Sequence, residues 1–311
     1  MNAIHAVTGA FGYSGKFIAS RLLEKEQRVI TLTHSLNRPN PFGGQVTAYP
    51  YDFADEDKLT HTLTGVEVLY NTYWIRFNHR TFSHAEAVQN TRTLFHAARK
   101  AGVRRIVHVS ITNPSLDSPF EYFRGKAELE YALENSGIPH TILRPAILFG
   151  HEDILVNNIA WGLRRFPLFP LFGAGGYRVQ PIHVEDFARL AVQEGQESEN
   201  RIVDAAGPET FTYRNLVKTI AAAIGKPRPL VPVPPALAYA QAKLLGLLVG
   251  DVVLSREEID ALMADLLCTE SPPAGTTKLT EWARQNAAAL GRRYASELAR
   301  RRRRDKAYSE L

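Results

Sequence analysis

Ile4-His5-Ala6-Val7-Thr8-Gly9-Ala10-Phe11-Gly12-Tyr13-Ser14-Gly15 opens the sequence as a short apolar strand running into three glycines spaced TGxxGxxG. Lys16 to Lys25 follows, with Phe17, Ile18, Leu22 and Leu23 at helical spacing. A glycine-rich turn between a strand and a helix is the setting for a bound dinucleotide. The first glycine permits the tight turn and the middle one lets the backbone approach a pyrophosphate. The last allows helix and strand to pack closely, and the helix N-terminus offers free N–H groups with the positive end of its dipole. Gly9, Phe11, Gly12, Tyr13 and Gly15 are therefore the first candidate cofactor residues. The alternative is a purely structural turn.

Outward from this loop the pattern repeats. Strands are expected at Arg28–Thr33, Gln45–Tyr51, Val66–Thr72, Arg105–Thr112 and His140–Leu143, with helices at Ala85–Ala101 and Gly125–Ser136. Alternating strands and helices predict an α/β protein: a Rossmann-like, doubly wound parallel sheet covered on both faces. Beyond residue 150 the pattern loosens. Pro167, Pro170, Gly173, Gly175 and Gly176 read as loops, and Val179–Val184 and Arg201–Ala205 as short strands. Tyr213–Ile224 reads as a helix and Lys226–Pro235 as an extended proline-rich segment. Ser255-Arg256-Glu257-Glu258 is a capping box opening a helix, and Thr280–Arg304 reads as one further helix. The expected division is residues 1–150 as an NAD(P)-binding domain and 151–311 as a smaller, mostly helical C-terminal substrate region, packed on the first and partly interleaved with it.

The composition, 45% hydrophobic and 22% charged over 311 residues, excludes a disordered, collagen-like or coiled-coil chain. One cysteine, Cys268, excludes an internal disulfide framework. The net charge is +5, and residues 300–311 supply four of those charges. The excess belongs to a tail and not to a nucleic-acid-binding face, so no nucleic acid is expected as partner. The tail reads as the basic end of a helix, favoured by the macrodipole, with binding to acidic lipid or nucleic acid as the alternative. The start carries no targeting pattern, and Ala236–Leu254 is too short and too interrupted by Lys243 and Asp251 to span a bilayer. A cytoplasmic protein is expected. No metal site is expected: His183 with Glu185 and Asp186 reads as a helix start, not a ligand set.

TGxxGxxG in place of GxGxxG resembles the extended and atypical short-chain dehydrogenases/reductases, over roughly residues 3–225. Asp52-Phe53, Asn90, Tyr122-Phe123-Arg124-Gly125-Lys126 (YxxxK), Leu143-Arg144-Pro145 and Ile182-His183-Val184-Glu185-Asp186 occur in the family's order. The first half looks closest to the NmrA-like and complex-I-subunit-like branch, some of whose members bind the cofactor without turning it over. The resemblance implies that Asp52 and Phe53 lie beside the adenine and that Lys126 holds the nicotinamide ribose. It further implies that Tyr122 is the acid or base at a substrate carbonyl, with Ser110 or Thr112 orienting its oxygen. A lysine one turn from a phenol also favours phenolate. The family is often dimeric, which makes a homodimer possible.

The second strand ends Thr33-His34-Ser35-Leu36-Asn37-Arg38, without the carboxylate that accepts from a ribose 2′-hydroxyl. Arg38 is available to pair with a 2′-phosphate, and Thr33, His34 and Ser35 to donate to it. NADP(H) is the expected preference, with NAD(H) possible. The fourth strand ends Asn71-Thr72-Tyr73-Trp74-Ile75-Arg76, at the crevice where a nicotinamide would lie. Asn71, Thr72 and Tyr73 are assigned to the cofactor, and Trp74 and Arg76 to the substrate.

Residues 149–177 are rich in aromatics, and Phe149, Trp161 and Tyr177 are expected to line an apolar substrate pocket, with ordinary core packing as the alternative. A third reading of the apolar second half is a surface docking on a membrane or a partner. The expected function is an oxidoreductase moving hydride between NADP(H) and a carbonyl or alcohol of a small, largely apolar substrate. A nucleotide-sugar epimerase or dehydratase with tightly held NAD, and a non-catalytic dinucleotide-sensing or assembly protein of NmrA-like type, are the alternatives.

Overall fold

The computed structural model describes residues 3–311. Strand β1 (Ile4–Thr8) leads through the glycine loop into helix α1 (Tyr13–Glu24). Then follow β2 (Arg28–Thr33), β3 (Val46–Pro50), α2 (Glu56–Leu63), β4 (Val66–Asn71), α3 (His84–Lys100), β5 (Arg105–Val109), α4 (Glu121–Glu134) and β6 (His140–Pro145). The second half contains β7 (Ile147–Phe149), α5 (Leu155–Arg165), β8 (Phe169–Phe172), β9 (Arg178–Val179), β10 (Pro181–His183), α6 (Val184–Glu194) and β11 (Arg201–Ala205). It continues with β12 (Phe211–Thr212), α7 (Tyr213–Ala223), β13 (Leu230–Val233), α8 (Pro235–Val249), α9 (Arg256–Met263), α10 (Leu279–Gln285) and α11 (Glu297–Arg302).

The main sheet has seven strands in the order β11-β6-β5-β4-β1-β2-β3. The pairings β1–β2, β1–β4, β2–β3, β4–β5 and β5–β6 are all parallel. Strand order reverses at β1, with β4 on one side and β2 on the other, which places a crevice beyond the carboxyl ends of these strands. One sheet face sends Ala6, Leu32, Leu69, Ile106 and Ile142 against Leu59 and Leu63 of α2, Leu94 and Phe95 of α3 and Leu129 of α4. On the other face, Leu22 of α1 and Val192 of α6 line a hollow together with His5 and Tyr70. Both faces are covered, which explains why the strands read as continuous apolar runs.

Two compact units alternate along the chain: residues up to Pro145 with Phe187–Asp204, and Ala146–Asp186 with Ala205–Leu311. Arg105, fully buried, fastens the returning segment into the first unit. Its guanidinium donates to the Glu194 and Glu199 carbonyls (2.8 Å each), to the His140 carbonyl and to Thr141 Oγ1. Nε and Nη2 are satisfied by these four acceptors, which offsets much of the cost of burying the guanidinium, while Nη1 is buried without a partner.

The second unit closes on its own core, which includes Phe149, Leu163, Leu171, Tyr213, Leu216, Leu262 and Trp282. Departures from the sequence reading lie here, among them the unread helix α8. The stretch taken as loops contains β8, which pairs in parallel with β13 (Phe169↔Leu230, Phe172↔Val233). Helix α5 went unread between the proline and glycine signals, as did α2 in the first unit. The expected helix Thr280–Arg304 is two helices, α10 and α11, with an irregular connection. Gly291 there has φ +71, and a Cβ on it would sit 2.4 Å from the Ala160 carbonyl carbon and the Trp161 nitrogen. Asn157 Oδ1 accepts the Gly291 N–H, and Arg164 donates to the Leu290 and Ala287 carbonyls, so contact with α5 replaces helical continuation.

The capping box at α9 is present. Ser255 Oγ accepts the Glu258 N–H (3.1 Å), and Glu258 Oε2 accepts the Ser255 N–H (2.8 Å). Ser255→Ala is expected to lower unfolding free energy by about 1 kcal/mol, measured by denaturant titration. Among the described residues no helix is long and apolar enough to cross a membrane.

Candidate functional site

The site grows from the glycine loop. Gly9 has φ +66, a conformation suited to glycine, and its N–H donates to the Leu32 carbonyl (2.9 Å). Gly12 donates to the Gly9 carbonyl (2.8 Å) and stands at the N-cap of α1. Gly15 lies so close to the loop that a Cβ would be 2.5 Å from the Gly9 oxygen. Helix α1 has no side-chain cap and no acid in its first turn, whereas Asp55, Ser83, Thr212, Ser255 and Ser296 cap other helices. Its leading N–H groups therefore suit an anion.

Behind the loop a buried network locks β1 to β4. Thr8 Oγ1 accepts the Thr72 N–H, and Thr72 Oγ1 donates to the Thr8 carbonyl (2.6 Å each). Asn71, fully buried, accepts from Thr8 Oγ1 and from the Tyr73 N–H, and its amide pairs with His108 Nδ1 (3.0 Å). Asn71 thus shapes the loop from behind. Burial holds the His108 imidazole well below its usual pKa, so it is neutral.

Four rings gather beyond β2, β3 and β4. His34 lies 4.9 Å from Tyr51, 5.9 Å from Phe53 and 6.3 Å from Tyr73 between ring centroids. Tyr51 stacks on Phe53 at 4.9 Å and 18°, and Tyr73 is 5.2 Å from each. Asn90 on α3 donates to the Tyr73 hydroxyl (3.0 Å). Flat aromatic faces of this kind suit an adenine ring. The sequence reading missed Tyr51; its place two residues before Phe53 was the available signal. Thr33 is buried and accepts the Ser35 N–H (3.0 Å), and the Ser35 carbonyl accepts the Arg38 N–H (3.0 Å). Arg38 is only 5% exposed, so it is no solvated loop residue.

Two residues of the cofactor set are placed differently from expectation. Phe11 is buried, its ring 6.4 Å from Phe42. Asp52 spends its carboxylate on Lys58 (2.8 Å) while its neighbour Phe53 joins the ring cluster. Tyr13, in the first turn of α1, turns its ring edge to Phe17.

Tyr122 and Lys126 share one face of α4. Lys126 is 2% exposed. Its Nζ donates to the Val109 carbonyl (2.7 Å) and lies 4.3 Å from the centroid of the Trp74 ring. Burial, opposed only by the Glu130 charge, lowers its pKa from 10.5 to about 7. Trp74 also meets Tyr122 edge-on at 5.7 Å and stacks on His84. The indole approaches so closely that a Cβ on Gly125 would be 3.0 Å from it. Ser110 donates to Glu130 Oε1, and Arg144 closes on the same carboxylate. Thr112 is 1% exposed. The serine hydroxyl expected to orient a substrate is thus committed within the protein, because Glu130 lies one turn beyond Lys126 on α4. Arg76 stacks over Phe77 at 5.6 Å.

In the second unit Phe149, Trp161 and Tyr177 are 0%, 8% and 9% exposed. Phe149 packs on His183 and Trp282, Trp161 on Phe166 and Tyr294, and Tyr177 on Tyr213. All three close the core of that unit. Asp186 of the expected family segment accepts the Thr276 and Thr277 N–H groups (2.7 Å each), so it fastens a loop. No cluster of metal-ligating side chains is present among the described residues.

Residues 9–158 match the family model described as NAD(P)H-binding. The mitochondrial NADH dehydrogenase (ubiquinone) 1 alpha subcomplex subunit 9 of Arabidopsis thaliana is 26% identical over 287 residues, covering 86% of this chain and 71% of that one. Its Mus musculus counterpart is 26% identical over 282 residues, with 86% and 74% covered. Residues 9–158 thus carry the NAD(P)H-binding domain that the family model describes, and most of the chain is similar to these relatives. Solved structures share the fold. The Citrobacter sp. triphenylmethane reductase in complex with NADP(H) superposes with a TM-score of 0.74 at 20% identity, over 92% of this chain and 99% of that one. An NADPH-dependent quinone oxidoreductase of Escherichia coli, in complex with NADPH, gives 0.72 at 22% identity, over 90% and 99%. A nicotinamide dinucleotide is the cofactor class, and the uncapped α1, the close-packed Gly15 and the ring cluster fit it.

Proposed function

We propose that the chain is an NADP(H)-linked reductase acting on a carbonyl or comparable acceptor of a small, largely apolar substrate. The single observation that carries this reading is the pairing on α4 of Tyr122 with a buried lysine whose proton affinity lies near neutrality. The reduced nicotinamide supplies hydride when bound. Around it the chain's own groups have separate tasks. The α1 N-terminus neutralises pyrophosphate charge. The rings of Tyr51, Phe53 and Tyr73 flank the adenine, and Arg38 pairs with the 2′-phosphate. Lys126 would hold the ribose hydroxyls; the neutral Tyr122 phenol gives its proton to the substrate oxygen as charge develops there, and Lys126 stabilises the phenolate left behind.

Arg38→Ala is expected to weaken NADPH binding about tenfold, the value of one charge-assisted contact, while leaving NADH unchanged. Nicotinamide fluorescence titration measures both. Equal loss for the two cofactors would remove the basis for NADP(H) preference. For turnover, a panel of aldehydes, ketones and quinones is to be compared between the unsubstituted chain and Tyr122→Phe; a variant that keeps full activity overturns the role of the phenol.

A second reading is favoured by Ser110 and Trp74. With Ser110 bound to Glu130 and the Trp74 indole over Lys126, the site suits holding a dinucleotide without turning it over. Tight NADPH binding with no reduction across the panel would select this sensing role.

A further inference from the structure

Helix α8 is built inside out. Its small residues Ala238, Ala242 and Gly246, spaced four apart, face the protein and are buried. Gly246 is obligatory there, since a Cβ would meet the Asp251 carbonyl oxygen at 2.5 Å. The large side chains point the other way: Leu237 is 49% exposed, Leu244 64%, Leu247 82% and Leu248 80%. Such a contiguous apolar face on one helix marks a contact surface.

Basic side chains precede and border the helix, while Glu257, Glu258 and Asp260 follow on α9, which packs against it. Residues 210–250 contain Arg214, Lys218, Lys226, Arg228 and Lys243 and no Asp or Glu. Lys243 borders the leucine face and lies 5.6 Å from the Tyr239 ring. At the far end, Gly250 (φ +66) turns the chain, and the buried Asp251 carboxylate accepts the Glu297 and Leu298 N–H groups (3.0 and 2.9 Å) and the Tyr294 hydroxyl. Asp251 therefore pins the start of α11 to the end of α8. Through α11 and the residues after it, the exposed Arg302, Arg303, Arg304 and Lys306 follow, opposed by Asp305. At 1.5 Å per residue, Arg302 stands only roughly 8 Å along α11 from that pin.

We propose that α8 lies on an anionic lipid surface, with its leucines in the headgroup–acyl boundary and Lys243 and the α11 arginines on acidic headgroups. Fifteen residues are too few to span a bilayer but enough to lie in its interface. In a two-fold dimer through the leucine face Lys243 would approach its own copy, which disfavours a second copy as the occupant.

The test is flotation of the full chain with vesicles of phosphatidylcholine alone and of phosphatidylcholine with phosphatidylglycerol. The expected result is binding only where phosphatidylglycerol is present, weakened by salt. Leu247→Glu with Leu248→Glu should abolish it. Arg302→Ala, Arg303→Ala and Arg304→Ala together should weaken it about a hundredfold, at about 1 kcal/mol for each basic residue near the surface. All five positions are exposed, so melting temperature and NADPH affinity should not move. Equal binding to both vesicle types, flotation that survives the leucine changes, or no flotation at all overturns the proposal. A dimer in light scattering that those leucine changes dissociate, without flotation, would assign the face to a second copy.

Discussion

Gly15→Ala is expected to weaken NADPH binding more than a hundredfold. The added methyl group would sit 2.5 Å from the Gly9 oxygen, 2.8 Å from the Gly9 carbonyl carbon and 3.0 Å from the Thr8 oxygen. All three are backbone atoms, so no side chain can swing aside. Gly9 is itself held by its bond to the Leu32 carbonyl, and Thr8 by its paired bonds to Thr72. The relief available is to push the first turn of α1 away from the loop, which separates the N–H groups from the turn that aims them. Overpacking of this kind costs about 1–3 kcal/mol; the free protein relieves it by letting the loop move, whereas the bound state requires the loop in place, and the upper part of that range borne by the bound state alone corresponds to about two decades in affinity. Gly176→Ala is the control, because a Cβ there meets nothing within 4 Å. Unchanged NADPH affinity in Gly15→Ala would mean that the loop does not seat the cofactor.

The glycine loop was legible because its meaning is local: three spacings, a strand before and a helix after. The same holds for the parallel strands, whose burial on both faces leaves unbroken apolar runs, and for the capping box at Ser255. Tyr122 and Lys126 were also legible, since four residues on a helix share a face. What the sequence hid was juxtaposition across distance. His34, Tyr51, Phe53 and Tyr73 come from the ends of three strands and meet only because the sheet aligns those ends. Ser110 read as a free hydroxyl because Glu130 lies twenty residues on and reaches back from α4. Trp74 read as a substrate contact, and nothing local showed that it would cover Lys126. In the second unit the aromatics Phe149, Trp161 and Tyr177 looked like a pocket lining; a unit whose accessory strands run only two to four residues uses such side chains to close its own core.

Lys126→Met is expected to stabilise the fold at neutral and acidic pH while removing the group proposed to hold the ribose. The lysine is buried against Trp74 and Val109, and its pKa falls from 10.5 to about 7. Between those values the unfolded chain carries a proton that the native protein lacks. Native stability therefore rises with pH across that window, and below pH 7 the full cost of burying the cation is present. A shift of this size corresponds to on the order of 3–5 kcal/mol. Methionine fills much the same volume without the charge, but it leaves the Val109 carbonyl without its donor, at about 1–3 kcal/mol. The variant should accordingly exceed the unsubstituted chain by roughly 2 kcal/mol at pH 6; its advantage should vanish at about pH 9, where the remaining cost of the buried cation equals that of the orphaned carbonyl, and reverse above it. Denaturant unfolding at several pH values measures the difference, and fluorescence titration measures the expected loss of NADPH affinity in the same samples. A stability difference that does not change with pH would show that Lys126 titrates as an ordinary lysine. A site that tolerates several kcal/mol of buried charge for a lysine placed beside Tyr122 is one in which stability has been yielded to chemistry or to cofactor binding.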